Sequence, residues 1–247
     1  MLYFQKPLYD KNKVEISTKE LEKLTLKYIA LTNQERKKIE TKHVFKIKNI
    51  EVLKSSILHS QNRLPEEYYP FKTSNIDNFK ASLFNPMISY TGILGYYNPF
   101  TGEGQVNTAI PNFLQPYVTC HEMAHQVGYA SESEANFVGF MAATNSSDTL
   151  LQYSSYFDMF LYAWNNLKMV DSTAAKELGK QIHPGARRDM KAYAAYIKKH
   201  RSFLSDWTNA LYDYYLKQNR QRKGIESYGE VTGWLIAYRK KYQEKGS

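Results

Sequence analysis

The chain has 247 residues, 43% of them hydrophobic and 23% charged, and carries a net charge of +9. That length buries a substantial core as one large domain or two small ones, and the composition excludes a disordered or collagen-like chain. No apolar run approaches the roughly 20 residues of a membrane span, and the single cysteine, Cys120, excludes an intrachain disulfide and a thiolate metal cluster.

The opening MLYFQKPLYD has neither the basic leader nor the apolar core of a secretory signal, and its abrupt start reads as the edge of a longer protein. ISTKELEKLTLKYIALTNQERKKIE begins with a capping box, Ser17 and Glu20, and Leu21, Leu24 and Tyr28 recur at helical spacing. A second helix is expected from Val44 to Leu58, broken by the two prolines of QNRLPEEYYPFKTSN. From about Pro86 the texture turns to β-branched and aromatic residues. PFTGEG stands there as a hairpin connection, so Ile93–Asn98 and Gln105–Ile110 are expected to pair as antiparallel strands. Pro111 and Pro116 mark the loop that follows. Helices are then expected over about 118–128, 133–144, 149–168, 172–181, 187–218 with a break, and 227–242. The fold class is α+β: a small antiparallel sheet or hairpin, then a mainly helical half. One domain is expected, in three parts: a helical part over about 1–80, the sheet and histidine region over about 81–145, and a helical part over about 146–247. There is no internal repeat and no low-complexity segment.

Basic residues gather at 198–201 (KKHR) and 220–223 (RQRK). Such clusters suit nucleic acid or an anionic membrane surface, or else the solvated faces and C-termini of helices. No nucleic-acid motif accompanies them, so no nucleic-acid partner is expected.

The chemistry-bearing stretch is VTCHEMAHQVGYASESEANFVGF, residues 118–140. His121 and His125 are four apart, so on a helix they share one face a turn apart, as two imidazole ligands of one Zn²⁺ require. Glu122 lies next to the first histidine, where a general base can take a proton from the attacking water. This is the H-E-x-x-H pattern of zinc metallopeptidases. The bland alternative is a solvated helix with two histidines. Val118, Met123, Ala124 and Val127 imply a partly buried helix, however, and two uncompensated buried imidazoles are costly. Cys120 points about 100° away from His121 and reads as a small buried filler.

A third ligand must come from elsewhere. Gly128 fits the H-E-x-x-H-x-x-G-x-x-H pattern of metzincins, but Ser131 stands where the last histidine belongs. A glutamate of the following helix is the other source, as in gluzincins. Glu134, Val138 and Met141 fall at i, i+4, i+7 on an inward face, which favours Glu134. Glu132 is the reserve, expected to face solvent. Glu134 also stands three residues after Ser131, the spacing of a capping box, which is its bland role.

HEMAHQVGYASESEANF resembles the gluzincin-type zinc metallopeptidases. Together with GYYNPFTGEGQVN and YDYYLKQNRQRKGIESYGEV, it is similar more narrowly to a bacterial family of unknown function regarded as membrane-anchored and zinc-peptidase-like, from about residue 17 onward. The resemblance implies a zincin-like fold, bound Zn²⁺ and a peptide or protein substrate. It also implies transmembrane helices upstream of this chain and a domain outside the cytoplasm. In the wider group an edge strand before the metal helix pairs with extended peptide. Gln105–Ala109 resembles that strand, with Asn107, Thr108 and Ala109 beside substrate; an ordinary hairpin strand is the alternative. Two departures stand out. Only eight residues separate His125 from Glu134, and Val138 stands where the larger enzymes carry an aspartate behind the first histidine. Asn136, Asp148 and Asp158 are the candidates for orienting His121.

For the donor to a tetrahedral oxyanion the choice is Tyr228, in GIESYGEV, with Tyr153, Tyr156, His183 and His200 as rivals. The expected function is a zinc-dependent endopeptidase with Glu122 as base. The alternative is a non-catalytic domain that binds a peptide or envelope component on the same scaffold.

Overall fold

The computed structural model describes residues 16–42, 50–61, 78–202, 206 and 228–242. These form eight α-helices and one small sheet: α1 (Thr18–Lys42), α2 (Ile50–Gln61), β1 (Phe79–Ala81), β2 (Gly95–Asn98), β3 (Glu103–Val106), α3 (Gln115–Gln126), α4 (Glu132–Thr144), α5 (Thr149–Val170), α6 (Ser172–Gly179), α7 (Pro184–His200) and α8 (Tyr228–Tyr242). The fold is α+β and mostly helical. Residues 44–49 of the expected second helix, the proline-broken stretch 62–77 and the basic cluster 220–223 lie outside the described residues.

The helix signals act where the chain carries them. The Glu20 amide donates to Ser17 Oγ at 3.3 Å and opens α1. Asp148 caps α5, its carboxylate accepting from the Leu150 and Leu151 amides at 2.8 and 3.0 Å. Of the helix expected over 187–218 with a break, the described part runs from Pro184 to His200 and ends where Arg201 turns extended, at φ −63° and ψ 122°; residues 203–205 and 207–218 lie outside the described residues.

The sheet differs from the expected hairpin. β2 and β3 pair antiparallel, Gly95 opposite Val106 and Asn98 opposite Glu103. The second strand begins at Glu103, not Gln105, because Gly102, at φ +69°, closes the turn, its amide donating to the Asn98 carbonyl at 2.9 Å. It ends at Val106 because Asn107 folds back on its own backbone, with Oδ1 accepting from the Ala109 amide at 3.0 Å. A third strand, β1, pairs parallel to β3, so the order is β1-β3-β2 and the sheet is mixed. Strand β3 is therefore central and not an edge.

Helix α3 lies across one face of this sheet. Behind α3 and α4 runs α5, packed against α1, α3, α4, α6 and α8. Its Tyr153, Phe157 and Phe160 are completely buried, and Phe157 meets Phe113 edge-on at 5.3 Å. Each such aromatic contributes roughly 1.5–3 kcal/mol by leaving water. A buried ionic clamp ties α1 to α7: Arg36 Nε donates to Asp189 Oδ2 at 2.7 Å, and the Tyr153 hydroxyl donates to the same oxygen at 2.5 Å. The core thus holds α3 and α4 rigidly from behind, which fixes the site described next.

Candidate metal centre

Pro116 in the first turn of α3 starts the histidine helix without the loss of a needed donor. The helix ends at Gln126. Gly128 takes φ +103°, its amide donating to the His125 carbonyl at 3.0 Å, and the Tyr129 amide reaches back to Ala124 O at 3.1 Å. Only residues 126–131 separate His125 from α4, so the chain reverses tightly. Gly139 lets α4 lie close on α3: a Cβ there would stand 3.1 Å from the Cys120 carbonyl carbon and the His121 amide nitrogen. This close apposition brings the first residue of α4 against the exposed face of α3.

That residue is Glu132. Its Oε2 lies 3.2 Å from His121 Nε2 and its Oε1 3.3 Å from His125 Nε2, while the two Nε2 atoms are 3.0 Å apart. Ligands of a tetrahedral ion at 2.0–2.1 Å stand roughly 3.3 Å from one another, so the triangle matches three corners around such an ion. Among the described residues His121, His125 and Glu132 form a cluster able to hold a metal. The expected third member, Glu134, is corrected: residues two apart on a helix point nearly opposite ways, so turning Glu132 to the histidines turns Glu134 from them. Nor is the capping box observed, since the Ser131 side chain makes no capping bond. Periodicity misled because α4 is buried nearly all round, from Ala135 to Ala143, and so has no single inward face.

The donors are oriented as a cation requires. His125 Nδ1 donates to the Tyr129 carbonyl at 2.7 Å; a carbonyl only accepts, so Nδ1 carries the proton and the Nε2 lone pair faces the centre. Without a metal the cluster is held by protons. Burial opposes charge on His121, but its bond to Glu132 and the nearby carboxylates of Glu122, Glu132 and Asp158 outweigh that and lift its pKa to about 9. Glu132 is likewise penalised by burial, yet the two histidines hold it well below the usual carboxylate range. An imidazolium–carboxylate cluster of this kind is a site in which a divalent cation can replace a proton.

Glu122 is buried beneath β2. A Cβ on Gly95 would lie 2.8 Å from Glu122 Cγ and Oε1, so the glycine is what allows the strand to pass over the carboxylate. Burial raises the Glu122 pKa, with His121 and His125 pulling the other way. The edge of the sheet nearest this carboxylate is β2, and not the Asn107–Thr108–Ala109 segment expected there. Asn107 is fully buried, its Nδ2 donating to Ser89 Oγ at 3.0 Å and to the Tyr196 hydroxyl at 3.2 Å. Thr108 Oγ1 accepts from Asn85 Nδ2 at 2.8 Å, and Ala109 follows in the same turn.

The remaining candidates sort as follows. Helix α8 begins at Tyr228, whose side chain lies outside the described residues. Tyr153 belongs to the Arg36–Asp189 clamp, and Tyr156 packs among Tyr28 and Phe140. His183 caps α7 by accepting from the Gly185 amide, and His200 bonds the Tyr196 carbonyl through Nδ1. Of the three residues considered for orienting His121, Asn136 accepts from the Tyr117 hydroxyl and Asp148 caps α5. Asp158 is left, a carboxyl whose burial pushes its pKa up to about 7 against the pull of His121.

The family model of DUF3810, proteins of unknown function, matches residues 1–236. The chain belongs to this family. No curated protein and no solved structure matches it. The DUF3810 match takes in the whole histidine–glutamate cluster and the sheet above it, and no described helix is long and apolar enough to cross a membrane.

Proposed function

We propose that this DUF3810 chain is a zinc-dependent metallopeptidase, hydrolysing peptide bonds with Glu122 as general base. The observation that carries the reading is the three-sided donor set of His121, His125 and Glu132, at mutual distances of 3.0 to 3.3 Å, with a buried carboxylate on the residue after His121. Two imidazoles and one carboxylate are the donor chemistry of a catalytic zinc site with a position left for water or substrate. When bound, the ion supplies Lewis acidity, polarising the scissile carbonyl and making water acidic near neutral pH.

The chain's own residues supply the rest. Glu122, its pKa raised by burial, takes a proton from the attacking water and passes it to the leaving amine. The Tyr129 carbonyl fixes the His125 tautomer. Among the described residues β2 pairs only with β3, so its outer edge, starting at Gly95 over Glu122, offers backbone groups to an extended peptide. In this reading the enzyme works outside the cytoplasm in a membrane-anchored protein, as its resemblance to the bacterial family of unknown function implies.

Glu122→Gln tests the assignment. The variant keeps one zinc per chain and loses about 10²–10⁴-fold in cleavage of a peptide library. A wild-type chain that holds zinc but cleaves no member of the library would contradict peptidase activity and favour the binding domain.

A further inference from the structure

The basic cluster at 198–201 has no part in the centre described above, and the structure sets it against a second unused feature. A 3₁₀ helix, Met87–Thr91, lies between β1 and β2. At about three residues per turn, Phe84 in the turn before it, Met87 and Tyr90 fall along one side. Leu83, Phe84 and Met87 expose 79%, 63% and 74% of their surface, while Ile88 and Ser89 are buried. The ridge is pinned from behind. The Phe84 amide donates to Ser82 Oγ at 3.2 Å, Asn85 Nδ2 to Thr108 Oγ1 at 2.8 Å, and Asn107 Nδ2 to Ser89 Oγ at 3.0 Å. Large apolar side chains held out to water together mark a contact surface.

Helix α7 ends beside this ridge. The His200 ring meets that of Tyr90 edge-on at 5.0 Å, and Ser202 Oγ donates to the Tyr90 carbonyl at 2.7 Å. Lys198 and Lys199 are exposed there, and neither pairs with a carboxylate among the described residues. Arg201 has Asp206 at 4.0 Å. Residues 81–102 carry no charged side chain, and the charges between Asp189 and Asp206 are all positive: Lys191, Lys198, Lys199 and Arg201. An apolar ridge bordered by cations complements an anionic bilayer, whose acyl region takes Leu, Phe and Met and whose headgroups take Lys and Arg. A protein partner fits less well, because lysine is depleted at protein interfaces. Nucleic acid, contacted mostly through its phosphates, has no apolar layer for Leu83 and Met87 to enter.

We propose that the ridge from Leu83 to Tyr90 and the basic end of α7 together dock this chain peripherally on an anionic lipid surface. The contact needs no membrane-spanning helix and holds whether or not the histidine centre is catalytic. Because β2 begins at Gly95, shortly after the ridge, docking brings the edge of that strand near the lipid.

The test is sedimentation of the full chain with vesicles of equal parts phosphatidylglycerol and phosphatidylcholine, and with vesicles of phosphatidylcholine alone. Wild type should bind the anionic vesicles roughly 100-fold more tightly, since each cation near a charged surface contributes about fivefold, and added salt should remove that preference. Phe84→Ser/Met87→Ser should weaken binding to the anionic vesicles by roughly tenfold or more, and Lys198→Gln/Lys199→Gln by about 25-fold. Lys19→Gln/Lys23→Gln makes the same change of charge at exposed positions of α1 and should bind like wild type. All of these positions are exposed, so melting temperatures should stay at the wild-type value. Undiminished binding by Phe84→Ser/Met87→Ser overturns the inference. So does an equal loss in Lys19→Gln/Lys23→Gln, since net charge alone would then explain the attraction. A wild-type chain that sediments with neither vesicle overturns it too, and leaves the ridge to a protein partner.

Discussion

Gly95→Ala adds one methyl group at the tightest place over the site. Its Cβ would lie 2.8 Å from Glu122 Cγ, Glu122 Oε1 and Val118 Cγ1, where carbon contacts are comfortable at about 3.5–4.0 Å. Either β2 lifts or the Glu122 side chain moves by roughly 0.7–1 Å, and overpacking of this order costs about 1–3 kcal/mol. The substitution alone recovers about 0.4–1 kcal/mol, because alanine loses less chain entropy on folding than glycine. The net loss is about 1–2 kcal/mol, read as a lower urea midpoint at unchanged slope. The ligands themselves are untouched, so zinc content stays at one per chain. Displacing a catalytic group by about 1 Å lowers peptide cleavage by roughly 10²-fold. A Gly95→Ala chain as stable and as active as wild type would refute the placement of Glu122 under β2.

The remaining predictions concern the same elements. In the zinc-free chain His121 has a pKa near 9 against an ordinary 6.5; a raised pKa gives stability that is complete below about pH 6.5 and lost as pH rises to 9. Asp158, raised to about 7, acts in the same sense at lower pH. Zinc-free melting temperature should therefore fall between pH 6.5 and 9, while the increment from added zinc grows over that window as the competing proton leaves; a flat zinc-free profile there would contradict the proton-held cluster. Zinc uptake near pH 7.5 should release about one proton, seen as a calorimetric heat that varies with the ionisation enthalpy of the buffer. Asp148→Ala should cost about 0.5–2 kcal/mol of stability through the lost cap of α5 and leave zinc affinity unchanged; a weakened affinity would give Asp148 a part in the centre.

Much of the fold was legible because local signals and tertiary structure agree. The Ser17 cap, Gly128 and the spacing of His121 and His125 each act within a few residues, and the structure uses them as the chain spells them; the Glu20 carboxylate, expected to complete a capping box, pairs instead with Arg239. The sheet was less legible because its third strand comes from sequence distant from the hairpin. Nothing near Phe79 announces a parallel partner for Gly104, yet that pairing turns β3 from an edge into the centre and moves the exposed edge to β2. Asn107 carried a β-like neighbourhood, but its own side chain ends the strand. The third member of the cluster was misjudged for a related reason. An apolar stripe locates a core-facing side only when a helix has a solvent side, and α4, wrapped by α3, α5 and α8, does not.

Metal content of the purified chain, beside Glu132→Ala and Glu134→Ala, tests the centre most directly. One zinc per chain in wild type and in Glu134→Ala, lost in Glu132→Ala, is the predicted result. Zinc retained in Glu132→Ala and lost in Glu134→Ala would contradict the ligand set, and a wild-type chain that takes up no zinc when supplied with it would contradict the metal centre itself.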